Sequence, residues 1–218
     1  MIAIVVALPS EAKALLEKFQ SLSSFLLCDK PSYSGKLFGK DVVLSISGIG
    51  KVSAALTTQL LIDKYSPEYV LNFGTCGGVN SNVEVLKYYA IEKCCQYDFD
   101  LCDLDGVPLG YIQEYDRVFF PACVDSLDFL PKAVLASADR FTHTEHDVNA
   151  VNDIGASICD MEGGAIAQVC LSNSVKLVII KGISDVHGSG TQQEQFFKNL
   201  KTVGAGFPAV IEKAIKSI

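Results

Sequence analysis

The sequence predicts one α/β domain over residues 1–218, with a mixed, largely parallel central sheet flanked by helices. Three observations carry that prediction. The densest apolar runs are short: Ile2–Leu8, Val42–Ile46, Val70–Phe73 and Leu177–Ile180. Segments with helical spacing separate them, which is the pattern of strands buried on both faces. Polar or glycine-containing elements follow several of the runs at once, and in α/β sheets ligands gather beyond the carboxyl ends of the strands.

Ile2–Leu8 reads as a strand. Pro9-Ser10-Glu11 opens a helix, because proline suits a first turn whose N–H would go unpaired, and Leu15, Leu16 and Phe19 share a face. Tyr33–Phe38 and Val42–Ser47 flank Gly39-Lys40-Asp41 and read as a hairpin. Gly48-Ile49-Gly50 leads into a periodic helix from Lys51 to Lys64. Tyr69–Phe73 is a buried strand ending in Gly74-Thr75-Cys76-Gly77-Gly78, and residues 98–116, rich in Asp and Gly, read as loop. A short run from Ala156 to Cys159 meets Asp160-Met161-Glu162, and a small-residue helix follows from Ala165 to Leu171. Leu177–Lys181 is a further buried strand that ends at Gly182-Ile183-Ser184-Asp185. The last helix spans about Gln192 to Ser217, with a bend or break expected near Gly204–Pro208. No repeat or linker divides the chain.

The net charge of −7 argues against nonspecific binding to nucleic acid or to anionic membranes, which needs a basic face. A nucleoside-sized ligand carries little charge and is not excluded. No apolar run approaches the roughly 18–20 residues that span a bilayer. The N-terminus runs straight into Ile2-Ala3-Ile4-Val5-Val6 and then an acidic helix, not a small-residue cleavage site, so a cytoplasmic location is expected. Eight cysteines without a CxxC pair read as reduced, mostly buried thiols. His143-Thr144-Glu145-His146 offers a ligand-like pair with no evident third member, so no metal site is expected, and no cofactor.

Four segments share one design, a buried strand followed by a polar or glycine element: Leu8-Pro9-Ser10-Glu11, Gly74–Gly78, Cys159-Asp160-Met161-Glu162 and Ile183-Ser184-Asp185. Each has an ordinary explanation alone. Glu11 is a first-turn helix acid, Gly74–Gly78 a tight turn, and Asp160, Glu162 or Asp185 a helix cap. Gly74–Gly78 lacks the Gly-Lys-[Ser/Thr] ending of a Walker loop. If the strands lie side by side, Glu11, Thr75, Glu162 and Asp185 meet at one mouth. Carboxylates so placed cannot all ionise without cost, so at least one pKa should rise, as a proton donor requires.

Taken in order, Ala7-Leu8-Pro9-Ser10-Glu11, Ser47-Gly48-Ile49-Gly50-Lys51-Val52, Gly74-Thr75-Cys76-Gly77-Gly78, Asp160-Met161-Glu162-Gly163-Gly164-Ala165 and Ile183-Ser184-Asp185 resemble the nucleoside phosphorylase/nucleosidase superfamily. The nearest likeness is to its methylthioadenosine/S-adenosylhomocysteine nucleosidases, and it covers nearly the whole chain. Tyr97-Asp98-Phe99-Asp100-Leu101 with Pro108-Leu109-Gly110 is similar to that family's dimer-side loop, and Ser137-Ala138-Asp139-Arg140-Phe141 to its base-pocket segment. The resemblance implies a nucleoside phosphorylase-like fold, a small-molecule purine nucleoside as substrate, and a homodimer. It also implies roles. Glu11 would deprotonate water, Asp185 would protonate the purine at N7, and Glu162 would bind the ribose hydroxyls with Met161 against the sugar. Phe141 would stack on the base and the Thr142 backbone would meet its edge. Thr75, Gly77, Ser184 and Lys181 would complete the binding site, with Thr75, Ser184 and Lys181 toward the water. Lys181 stands where those nucleosidases usually carry Arg, so a planar fork becomes a point charge.

These residue types suit the chemistry on their own. Breaking an N-glycosidic bond builds positive charge on the sugar and negative charge on the departing base. Carboxylates near the sugar stabilise the first, and a protonated acid at the base neutralises the second. Phosphorolysis instead needs a dianion site, and this chain has no Arg before residue 117 to accompany its glycine loops. The expected function is therefore hydrolysis of adenine thio-nucleosides, 5′-methylthioadenosine and S-adenosylhomocysteine, with release of adenine. The alternatives are a phosphorylase, a hydrolase of another nucleoside such as futalosine, or a non-catalytic nucleoside-binding protein.

Overall fold

The computed structural model describes residues 1–188 and 191–218. In chain order the elements are β1 (Ile2–Val6), α1 (Pro9–Leu16), β2 (Gln20–Leu27), β3 (Lys30–Leu37), β4 (Lys40–Ile46), α2 (Lys51–Tyr65), β5 (Tyr69–Gly78) and β6 (Tyr88–Gln96). They continue with α3 (Cys102–Asp105), a 3₁₀ turn at Gln113–Tyr115, β7 (Phe120–Pro121), β8 (Lys132–Ser137), α4 (Glu145–Asp153), β9 (Ile158–Asp160), α5 (Gly163–Ser172), β10 (Lys176–Val186) and α6 (Gln192–Ser217).

Among the described residues all ten strands join one mixed sheet, and β5 is its pivot. Along one edge β5 pairs in parallel with β10 from Lys176↔Tyr69 to Val186↔Gly78. Along the other it pairs in parallel with β1 and, at its far end, antiparallel with β9 through Gly77↔Cys159. From β10 the ladder continues through β6 and β8 back to β9, so five strands close a ring around the end of β5. From β1 the sheet extends outward through β4, β3 and β2.

Alternation along β1 feeds two cores. Ala3 and Val5 pack with Leu61 of α2 and Ile166 of α5. Ile2, Ile4 and Val6 pack with Leu15 of α1 and Phe207 and Ile211 of α6. Each such side chain removed from water contributes roughly 1.5–3 kcal/mol. A strand covered on both faces therefore needs no polar side, which explains the unbroken IAIVV run. No helix among the described residues is long and apolar enough to cross a membrane. All eight cysteines are free thiols, and Cys76, Cys94, Cys95, Cys159 and Cys170 are buried.

Three expectations are revised. Neither β5 nor β10 stops at its apolar run: both continue through the Gly74–Gly78 and Gly182–Asp185 segments, because those segments pair with each other. A bulge between Ile183 and Asp185 shifts the register there. α6 runs past Gly204 and Pro208 without a break, since Gly204, Phe207, Pro208 and Ile211 are buried and packing outweighs the one hydrogen bond that proline removes. β2, β6 and β8 join the predicted strands. β2 is an exposed edge of serines, so no apolar run marked it.

Candidate active site

Glu11 lies where the chain leaves β1 and turns into α1. Its Oε2 accepts from the Leu8 N–H at 3.1 Å, as a first-turn acid does. Its Oε1 accepts from the Thr75 N–H at 2.6 Å and from Thr75 Oγ1 at 2.7 Å. The helix acid is thus also a clasp between α1 and β5. Burial pushes its pKa up, while the Thr75 and Leu8 donors and the charge of Lys181 oppose that rise.

Glu162 is the N-cap residue of α5 but does not cap that helix. Its Oε1 accepts instead from the Gly50 N–H at the start of α2, at 2.9 Å. Gly50 has φ +97°, which favours glycine, and a Cβ there would also crowd Asp139 Oδ1 at 3.1 Å. Burial first, then the negative charge of Asp160, pushes the Glu162 carboxyl up to about 7. Asp160 does the capping for α5. Its Oδ2 accepts from the Gly163 N–H at 2.9 Å and pairs with Lys181 Nζ at 2.8 Å.

Asp185 sits within β10, not at a helix start. Its Oδ1 lies 2.6 Å from Ser184 Oγ, and its Oδ2 accepts from Gln192 Nε2 at 3.1 Å. Burial raises its pKa and those two contacts oppose the rise. A Cβ at Gly77 would stand 3.1 Å from Asp185 Oδ2 and 3.2 Å from Cys159 Sγ, so glycine makes room for the carboxyl. All three carboxyls are raised, and the leading cause is burial, not the mutual repulsion anticipated from sequence.

Glu11, Thr75, Gly77, Phe141, Met161, Glu162, Ser184 and Asp185 all line one cavity of about 100 Å³. Thr142 lines a smaller recess that shares Gly77, Phe141, Met161 and Asp185 with it. Lys181 departs from expectation. It is 1% exposed and absent from the cavity wall, locked beneath the site on Asp160. A desolvated ammonium needs a counter-charge, and Asp160 supplies it at 2.8 Å. The sequence reading missed Phe196 of α6, which lines the cavity and meets Phe141 edge to face at 6.2 Å, and Gln192 behind Asp185. The available signal was the pair of adjacent aromatics, Phe196-Phe197, early in a predicted helix.

A larger cavity, about 790 Å³, is lined by Asp98, Pro108, Leu109, Arg140 and His146 among others and holds none of the three carboxylates. Size alone would choose it; converging acids choose the smaller one. Arg140 borders the smaller recess beside Asp185 but is paired with Asp147 at 2.7 Å, and Arg117 lines neither space and donates to the Tyr115 carbonyl at 3.0 Å.

Residues 1–216 match the phosphorylase superfamily. A 5′-methylthioadenosine/S-adenosylhomocysteine nucleosidase of Hydrogenovibrio crunogenus is 31% identical over 199 residues, 86% of either chain. The structure of the nucleosidase of that name from Colwellia psychrerythraea, in complex with adenine, is similar with a TM-score of 0.89 and 27% identity, over 99% of this chain and 94% of that one. The futalosine hydrolase structure of Helicobacter pylori is similar with a TM-score of 0.91 and 25% identity, over 100% of this chain and 97% of that one. The end-to-end match and the 31% relative together place the chain: it belongs to the phosphorylase superfamily and, within it, to the 5′-methylthioadenosine/S-adenosylhomocysteine nucleosidase family.

Proposed function

We propose that the protein hydrolyses the N-glycosidic bond of adenine thio-nucleosides, 5′-methylthioadenosine and S-adenosylhomocysteine, and releases adenine. The observation that carries this reading is the convergence of Glu11, Glu162 and Asp185 on one cavity, in a chain whose relatives bear the nucleosidase name. Glu11 takes the proton of the attacking water. Three donated hydrogen bonds hold its carboxylate in place and leave a lone pair on Oε2 for that proton. Glu162 holds the ribose hydroxyls and, once ionised, faces the positive charge that grows on the sugar. Asp185, whose pKa burial raises, delivers its proton to the purine as the bond pair moves onto the base. Phe141 and Met161 supply apolar contact to base and sugar. Each proton transfer contributes about 10²–10⁴-fold, and positioning and electrostatics supply the remainder.

Water is favoured over phosphate because the cavity carries buried carboxylates, and Arg140, which borders the adjoining recess, is already paired with Asp147. The protein acts as a cytoplasmic homodimer in this reading. The large cavity along Asp98, Asp100, Pro108 and Leu109 supports a partner surface there, closing the neighbour's 5′ pocket. The test is adenine release from 5′-methylthioadenosine in phosphate-free buffer. Turnover there supports hydrolysis, and strict dependence on added phosphate overturns it. The likeness to futalosine hydrolase favours one second reading, a different nucleoside on the same scaffold, and a panel that includes futalosine separates the two.

A further inference from the structure

Gln192 is the first residue of α6 and is buried. Its carboxamide joins three segments. Nε2 donates to Asp185 Oδ2 at 3.1 Å and to the Thr142 carbonyl at 3.3 Å, and Oε1 lies 3.2 Å from His187 Nδ1. An amide whose nitrogen faces two acceptors must accept through its oxygen, so His187 carries its proton on Nδ1 and fixes the amide's orientation. Gln192 does not line the cavity; it stands behind the acid.

We propose that Gln192 is a positioning residue for proton delivery: it makes Oδ2 the accepting oxygen of Asp185, confines the transferable proton to Oδ1, and ties that alignment to the Thr142 carbonyl and the docking of α6. The inference rests on Asp185 being the acid. Ser184 Oγ completes the arrangement, because it lies 3.1 Å from the Cys76 carbonyl and 2.6 Å from Asp185 Oδ1. While Asp185 is protonated the Ser184 hydroxyl donates to the Cys76 carbonyl and accepts from Oδ1–H; once Asp185 ionises the hydroxyl turns to donate to Oδ1, which is how it opposes the pKa rise. On transfer the proton moves from Oδ1 to the purine ring nitrogen, and the pair of the broken glycosidic bond settles on the base. Asp185 then becomes a carboxylate, and the Gln192 N–H bond to Oδ2 becomes charge-assisted and stronger. An interaction that strengthens along the reaction is felt in kcat more than in KM.

The groups around Asp185 are Cys76 of β5, Cys159 and Asp160 of β9, Arg140 at the adjoining recess, His187 through Gln192, and Glu11 and Glu162 across the cavity. Asp160 is closed in an ion pair with Lys181, and Arg140 in one with Asp147. Burial pushes the Cys159 thiol up to about 12 and Cys76 higher than its ordinary value, so neither thiol titrates near neutrality. Glu162 and Glu11 act as carboxylates in this mechanism, so their protonation shapes the acidic limb, and the basic limb of kcat/KM reports proton loss from Asp185.

The experiment compares pH profiles of adenine release for the wild type, Gln192→Met, Gln192→Glu and Asp185→Asn. Removing a donor to the carboxylate favours its protonated form, so the basic limb of Gln192→Met moves to higher pH by about half a unit or more. Its kcat falls about 10–100-fold, the range for a hydrogen bond to a charged group, with KM changed by less than about threefold. Gln192→Glu, which keeps the shape, moves the limb in the same direction and further. It carries the test if the methionine variant does not fold. A limb that stays put in the folded variants, or a loss confined to KM, overturns the proposal while Asp185→Asn remains inactive. Near-normal turnover of Asp185→Asn overturns instead the acid assignment on which it stands.

Discussion

Replacing Glu162 by glutamine should make the protein more stable as the pH rises, while it abolishes ribose binding. The buried carboxyl is raised from its ordinary 4.5 to about 7. At 1.36 kcal/mol per unit, that difference is worth about 3 kcal/mol. The sign follows from proton counting. Between pH 4.5 and about 7 the folded state holds a proton on Glu162 that the unfolded state has released, so stability falls as the pH climbs through that window. Below it the contribution is fully present, and above it the contribution is lost. The amide of the variant never ionises and loses nothing. Urea unfolding at pH 5.5 and at pH 8.5 keeps clear of the isoelectric point near 4.9 and spans most of the effect. Only the 1.5 units between 5.5 and about 7 are sampled, so the stability advantage of Glu162→Gln should grow by about 2 kcal/mol between the two measurements. For a chain of this size that is a relative rise in Tm of roughly 4–8 °C. Taking the difference across pH cancels what the amide changes in packing or in its bond to the Gly50 N–H. An advantage that is the same at both pH values, or that shrinks at pH 8.5, would refute the view that this site keeps a carboxylate at the expense of stability.

Two further outcomes follow. Asp185→Asn and Glu11→Gln should each lower turnover about 10²–10⁴-fold while adenine still binds, measured by steady-state release and by titration with adenine. Full activity in either removes that residue from its role. Lys181→Met should destabilise the fold by about 3–5 kcal/mol, because Asp160 is left buried without its 2.8 Å partner. Adding Asp160→Asn should restore most of that loss in urea unfolding, and no restoration would show that the pair is not the cause.

Much of this architecture was legible along the chain because its strands are covered on both faces. Apolar runs without alternation at Ile2–Val6 and Leu177–Ile180 can only be interior strands or helix segments, and their shortness decides between the two. The proline at the start of α1 and the glycines before α2 marked helix beginnings for local steric reasons. The serine-rich edge strand β2 was invisible, since its residues are mostly exposed and carry no burial pattern. The ends of β5 and β10 were misjudged for a related reason. Glycine and polar residues mark loops in isolation, but here two such segments run side by side and satisfy each other's backbone.

The order of residues was enough to say which chemistry was on offer: an acid in the first turn of a helix, another before a small-residue helix, a third after a buried strand, and no arginine before residue 117 to accompany the glycine loops. It was also enough to locate most of the strands and helices that carry them, because burial patterns and capping are local. Which acid makes which contact emerged from long-range packing. Asp160, not Glu162, caps its own helix; Glu162 crosses to α2; Lys181 turns inward to neutralise Asp160 and leaves the cavity wall. Those choices depend on partners up to 112 positions away in the chain and on how completely each charge is withdrawn from water. Neither quantity is written in any local stretch of residues, because both arise when the ring of strands closes.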